Sequence, residues 1–478
     1  MTARPSDAPP LPSPVDLLPD APRVRAAIDD AGWSAAALDD LLGVTARTHL
    51  DRGELAPVTR RLGTDPLSTL AALFVVGVPV EPHRAAAAGI PASWLRPDGT
   101  AACRLQPVVH DGREVLVPHD PPTRDPHQVI GVGAASLTLA AATPRALVGR
   151  TLDLGTGCGV QALLADDHSA AVVATDRNPR ATAYAEVAAL LSGADLDVRE
   201  GDLLAPVAGE HFDLVVSNPP FVVSAGGGFT YRDAGLAGDE VCRRLVQQLP
   251  AHLAPGGVAV LLANWLHVEG EDGDARVDGW IAATGCDGWV VERELAAPED
   301  YVTAWLRDGD EDFGRYDAWL DWFTAQRVEA VAFGILALRH GRGHGTGRVT
   351  HHSPEHPLAP TWGEQIALHF AAVDLLETDL LSTRLRLRDD VRLHQVARAG
   401  DEGWEVTSQL LQQEAGLRWS GGVDGYGATL LAGCDGSRSL GDLLTVLAAS
   451  AGLGPGEAAE QVVPVVRSLV AQGFLVAG

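Results

Sequence analysis

Residues 213–223, DLVVSNPPFVV, end an apolar, strand-like run on Asn218, Pro219, Pro220 and Phe221. Neither proline has a backbone N–H, so a central strand stops here and the chain leaves its sheet stiffly. The side-chain oxygen of Asn218 and the carbonyl of Pro219 are both hydrogen-bond acceptors. They are held in place because proline restricts φ and biases Asn218 towards extended conformations. Two fixed acceptors suit the two hydrogens of an –NH2 group. An amide or exocyclic amine nitrogen has its lone pair conjugated into a π-system, and positioning of this kind favours its reaction without a strong base. Phe221 offers a face to the planar group that carries the nitrogen. The plainer alternative is a strand-ending turn.

Upstream, TLDLGTGCGVQALLA joins a strand-like run to a helix-like one through Gly155, Gly157 and Gly159, with Asp153 before the loop and Thr156 within it. Glycine accepts positive φ and lets backbone approach a ligand closely, while a helix start supplies free N–H groups. AVVATD then ends on Asp176, followed by Arg177, and LDVREGD ends on Asp202, followed by Leu203. An acid at the end of the second strand can accept from ribose hydroxyls. Three such strand ends in sequence order set their polar groups along one edge of a parallel sheet, where open α/β sheets bind ligands.

In this order, D-L-G-T-G-C-G, an acid, G-D and N-P-P-F, residues 131–341 resemble the class I S-adenosylmethionine-dependent methyltransferases, specifically the branch that methylates amino nitrogens. The resemblance implies that Asp153 and the loop of Gly155, Thr156, Gly157 and Gly159 hold the methionine part of S-adenosylmethionine. It implies further that Asp176 with Arg177 holds the ribose and Asp202 with Leu203 the adenine. Asn218 would then stand beside the sulfonium, with Pro219, Pro220 and Phe221 completing the catalytic motif and no metal involved. A dinucleotide reductase would want G-x-G-x-x-G, whereas this loop reads G-x-G-x-G. Enzymes with an aromatic after N-P-P include those that methylate glutamine N5 of translation release factors and adenine N6 or guanine N2 of nucleic acid. The implied partner is therefore a release-factor-like protein, RNA or DNA. The helical segment before the core and the GLAGDE sequence resemble the release-factor enzymes; the long C-terminal extension departs from them. The competing reading is a non-catalytic binding protein that keeps this core as a scaffold and acts through its C-terminal module.

The elements that position these groups are legible as alternating strands and helices. Residues 1–20 are Pro-rich and expected to be disordered. Residues 21–124 read as a helical domain, with RVRAAIDDAGW and DPLSTLAALFVVG, closed by a hairpin around Asp111-Gly112. From 125 to 345, TLDLG, AVVATD, LDVREGD, FDLVVS and GVAVLLAN predict a Rossmann-like, mostly parallel α/β sheet, with VEAVAFGILALRH a strand added after the parallel set. YVTAWLRDGDEDFGRYDAWLDWF predicts a helix burying Trp305, Trp319 and Trp322, with a wall for a planar substrate as the alternative. FVVSAGGGFTYRDAGLAGDE predicts a mobile loop in which Arg232, Asp233 and Asp239 orient a substrate or are simply solvated. Residues 339–352 read as a loop, either a linker or an anion contact. From 346 to 478, helices split by glycine and a short last strand resemble the small winged-helix domains that recognise leader peptides, with a stabilising helical cap as the alternative.

Composition narrows the classes. The 36 basic residues are all arginine, which excludes Schiff-base and P-loop lysine chemistry. The net charge of −27 disfavours non-specific duplex binding, which needs a basic face, although the Ala, Gly and Pro excess points to codon bias as part of its origin. The five cysteines, Cys103, Cys158, Cys242, Cys286 and Cys434, form no C-x-x-C pair, and His168, His211, His252 and His267 show no H-E-x-x-H spacing. Neither a signal-peptide pattern nor a run of about 18 uncharged apolar residues occurs. A cytoplasmic protein without a membrane partner is the expectation.

Overall fold

The computed structural model describes residues 12–123, 125, 127–224, 237–306, 313–341, 347–354, 358, 362–400 and 403–478. Arg232 and Asp233, residues 1–11 and residues 342–346 of the basic stretch lie outside the described residues. The chain divides into two compact units, 1–140 with 147–349 and 141–146 with 350–478.

In the first unit β1 (Arg104–His110) and β2 (Arg113–His119) form an antiparallel hairpin. Its two turn residues, Asp111 and Gly112, have φ of 49° and 78°. Positive φ at both positions is what a two-residue hairpin turn matched to strand twist requires. Next come β3 (Val148–Leu154), β4 (Ser169–Asp176), β5 (Leu196–Glu200), β6 (Phe212–Ser217), β7 (Leu253–Val268), β8 (Asp287–Ala296), β9 (Val328–Arg339) and β10 (Val349–His352). Of these, β3 to β9 make one sheet in the order β8-β9-β7-β6-β3-β4-β5. The five runs read from sequence pair in parallel. VEAVAFGILALR is β9, which runs antiparallel between β7 and β8. Because the chain steps outward through β4 and β5 and then returns to β6 on the other side of β3, the strand order reverses between β3 and β6. A crevice opens beyond their carboxyl ends.

The N-terminal helices bury Leu42, Ala46, Val58 and Val76 among themselves but share their larger core with the sheet and its helices. Val24, Ile28, Phe74 and Trp94 share one hydrophobic cluster with Val117 of β2 and with Tyr184, Val187 and Leu191 of the helix Pro179–Ser192. The boundary expected at 124 is thus bridged by packing. The expected disordered tail also ends early, since Pro14–Asp20 is a 3-10 helix whose Leu17 is buried and whose Leu17 carbonyl accepts from Trp94 Nε1 at 3.2 Å. Between β8 and β9 the aromatic segment forms two helices, Pro298–Leu306 and Phe313–Ala325. Tyr301, Trp319 and Phe323 are buried there with Val223 and Leu266.

The second unit carries the helices Glu364–Leu376, Gly425–Gly433, Leu440–Ala451 and Pro455–Ala471. Its strands are β11 (Arg384–Leu387), β12 (Val391–Gly400), β13 (Gly403–Gln413), β14 (Ser420–Gly422), β15 (Asp435–Ser439) and β16 (Leu475–Ala477). β11 lies between β15 and β16, and β12-β13-β14 form a separate antiparallel ribbon. The three late helices and the final strand match the sequence expectation. The ribbon escaped it because β12 and β13 are exposed along most of their length, so no buried face imprints an alternating pattern. β10 likewise stands where a loop was expected.

Candidate active site

A cavity of about 560 Å³ opens beyond β3, β4 and β6, and every site residue expected from sequence lines it except Gly159. Gly155 and Gly157 have φ of 75° and 56°, and a Cβ at either would point into open space rather than protein. They leave a cradle that side chains would fill. Gly159, with φ of 85°, serves packing instead: a Cβ there would stand 3.2 Å from the Cα of Ala185.

Two carboxylates fasten this loop. Asp153 is buried, and its Oδ2 accepts from Thr156 Oγ1 at 2.6 Å and from the Ala162 N–H at 3.0 Å. One N–H of the following helix is therefore spent on Asp153, and that helix, Val160–Ala165, is a short one. Asp176 Oδ2 accepts from the Gly157 N–H and its Oδ1 from the Asn178 N–H, both at 2.9 Å. The Gly155 and Thr156 N–H groups end on the Thr175 carbonyl. Burial pushes the Asp153 carboxyl up to about 7 against the pull of its two hydrogen bonds, and burial raises Asp176 as well. Burial is the first cause at both carboxyls, so a positive charge brought beside either would offset the cost of its ionised form. Asp202 is exposed at the rim, and beside it Leu203 has φ of 46°, a conformation that bulky residues hold only when their surroundings enforce it.

On the opposite side Ser217 Oγ donates to the Leu154 carbonyl at 2.9 Å and ties the end of β6 to the end of β3. Asn218 follows, half-buried, and its amide has no hydrogen-bond partner among the described residues. Beyond the prolines the chain is clamped: the Val223 N–H donates to Tyr301 Oη at 2.9 Å, and Trp319 Nε1 donates to the Val223 carbonyl at 3.1 Å. Asn264 Nδ2 of β7 donates to the same Tyr301 hydroxyl at 2.7 Å. Phe221 is 8% exposed, its ring 6.3 Å from Trp305 and 5.5 Å from Phe333. Much of the face expected to stack on a substrate is thus covered by protein. Trp305 is half-buried and lines the cavity, whereas Trp319 belongs to the core. The two readings of the aromatic segment therefore divide between neighbouring tryptophans.

Asp239, expected to orient a substrate or to be solvated, is 6% exposed and accepts from Arg276 Nε and Nη2 and from the Leu266 N–H. It secures the start of the helix Glu240–Gln248 against β7. His168 is buried, and the Cys158 thiol is buried and pushed up to about 12. Among the described residues no group of three or more His, Cys, Asp or Glu is placed to hold a metal ion. No helix among them is long and apolar enough to cross a membrane. The sequence reading missed Tyr301 and the clamp it makes. A tyrosine between helix-like acids carries no local mark of a partner 78 residues away.

The family model described as methyltransferase small domain matches residues 130–268, the stretch that supplies β3 to β7 and most of the cavity. Residues 130–268 thus match a methyltransferase domain. Models described as domains of unknown function match residues 30–115 and 368–477 on either side of it. The chain is 37% identical over 167 residues to a release factor glutamine methyltransferase of Deinococcus radiodurans, covering 32% of this chain and 57% of that protein. It is 34% identical to a ribosomal protein uL3 glutamine methyltransferase of Bradyrhizobium diazoefficiens, over 29% of this chain and 52% of that one. It is 31% identical to a ribosomal RNA small subunit methyltransferase C of Alcanivorax borkumensis, over 24% and 32% respectively. The chain spans about half the length of the first of these relatives.

Proposed function

We propose that the chain is an S-adenosylmethionine-dependent N-methyltransferase whose acceptor is a planar, conjugated amino nitrogen: glutamine N5 of a protein, or adenine N6 or guanine N2 of nucleic acid. The observation that carries this reading is the Asn218 amide, without a hydrogen-bond partner among the described residues, in the same cavity as the open Gly155–Gly157 cradle and the two raised carboxyls.

The residues present fit such a donor. The cradle admits backbone approach, the Asp153 and Asp176 carboxyls gain from a cationic ligand, and the volume suits a molecule of that size. When bound, the donor supplies an electrophilic methyl group on a sulfonium. Gly155, Thr156 and Gly157 would hold its methionine part, Asp176 with Arg177 its ribose, and Asp202 with Leu203 its adenine. Asn218 Oδ1 and the Pro219 carbonyl would accept the two hydrogens of the acceptor amine and aim its lone pair. Catalysis on this reading is positioning and electrostatics. Relatives named for glutamine and for ribosomal RNA methylation support an amino acceptor in either class of macromolecule.

The test is methyl transfer from tritiated S-adenosylmethionine into extract of cells lacking this protein, divided between protease and nuclease treatment. Protease-sensitive label places the acceptor on protein and nuclease-sensitive label on nucleic acid. No incorporation into either, with folded protein, overturns the proposal and leaves the scaffold reading.

A further inference from the structure

We infer that Asp120 is a positioning residue for the methyl-donor site and that, with Arg180 and Asn178, it fixes the segment 127–131, of which residues 128–131 wall the cavity. This rests on the donor reading above. Val129, Ile130 and Gly131 line the cavity, yet residues 128–133 belong to neither helix nor strand. Their position must come from other contacts.

Asp120, directly after the hairpin, is 1% exposed. Its Oδ1 accepts from Tyr184 Oη at 2.8 Å and from Arg180 Nη2, and its Oδ2 from Arg180 Nε at 3.1 Å and the Val129 N–H at 2.9 Å. The Asp120 N–H in turn donates to the Val129 carbonyl at 2.9 Å. Both backbone groups of Val129 therefore end on one buried residue. The other end of the wall is held by Asn178, whose Nδ2 donates to the His127 carbonyl at 2.9 Å. The same Asn178 donates its backbone N–H to Asp176 Oδ1 and accepts from the Arg180 N–H as a helix cap. One residue thus links the wall to the carboxylate assigned to the ribose. The pair ties the hairpin end to the helix Pro179–Ser192, and its carboxylate reaches further, to the backbone of a cavity-lining residue. Without it the wall would have to be ordered at the donor's expense, which weakens binding.

Asp120→Asn in the full chain tests this. Donor dissociation constants are read by calorimetry with S-adenosylmethionine and with S-adenosylhomocysteine, and compared with KM, kcat and Tm. Losing the charge partner of Arg180 and loosening Val129 should weaken donor binding by about tenfold, while kcat at saturating donor falls far less than KM rises. Asn178→Ser keeps a capping oxygen but is too short to reach His127, and should weaken donor binding by about threefold with Tm near wild type. This second variant decides the matter should Asp120→Asn fail to fold. Wild-type donor affinity in folded variants, with only Tm lowered, overturns the inference and leaves a structural role. A wild-type chain that binds no donor overturns the proposed function and this inference together.

Discussion

The buried Asp153 carboxyl should make the stability of the donor-free protein fall as pH rises towards neutrality. Burial raises this group from 3.8 to about 7, against the stabilising pull of Thr156 and Ala162. The folded protein therefore holds a proton that the unfolded chain has already released throughout that interval. The folded state binds more protons, so stability is fully present below the unfolded value and is lost as pH rises through about 7. A difference of roughly three units corresponds to about 4 kcal/mol over the whole range, and about 2 kcal/mol of it falls between about pH 5.5 and about pH 8. That share is a large part of the stability of an ordinary domain. Asp153→Asn isolates the effect, because asparagine keeps an oxygen for the Thr156 hydroxyl and the Ala162 N–H but carries no titrating proton. Urea unfolding of both proteins followed by circular dichroism at several pH values gives the difference curve, in which other titrating groups cancel. Wild type should lose about 2 kcal/mol relative to Asp153→Asn across the interval. Parallel curves would refute the assignment of a raised, proton-holding carboxyl beneath the glycine loop.

Asn218→Ala removes one of the two acceptors for the amine, and methyl transfer should fall by roughly 10²–10³ while donor affinity measured by calorimetry changes little. Tyr301→Phe frees the Val223 N–H and Asn264 Nδ2. Stability should fall by about 1–3 kcal/mol in denaturant titrations, with KM for the acceptor raised and donor affinity kept. Gly157→Ala forces a Cβ into the cradle at φ of 56° and should weaken donor binding in calorimetry beyond any loss in Tm. The Cys158 thiol, pushed up to about 12 by burial, should resist iodoacetamide at neutral pH in the folded protein and react on unfolding, as mass spectrometry of its peptide would show.

The convergence of the residues expected to hold a donor was legible because its information is local. A strand end followed by glycines, or by an acid, has its place set by the parallel sheet once the strands are recognised. Asp153, Asp176, Asp202 and Asn218 accordingly all meet at one cavity. Where local reasoning erred, a tertiary contact had taken the group: Gly159 is claimed by Ala185, the Ala162 N–H by Asp153, Asp239 by Arg276, and much of the Phe221 face by Trp305 and Phe333. Asp120 gave no sign of its four donors, since they come from two later segments that are brought to it only by folding.

The acceptor half follows a different logic. Tyr301, Trp305 and Trp319 lie beyond residue 268, where the methyltransferase family model ends. Yet Tyr301 and Trp319 hold the backbone just behind the N-P-P-F turn, and Trp305 borders the cavity beside Phe221. The strand-end motif can therefore be shared with the relatives while the walls around the proposed acceptor come from a helix pair that the shared model does not cover. On the proposed function, similarity in the matched stretch speaks to the chemistry of the nitrogen, and the helices between β8 and β9 are where this chain can differ in the molecule that carries it. Substitutions at Trp305 should accordingly change which acceptor is used before they change how the donor binds.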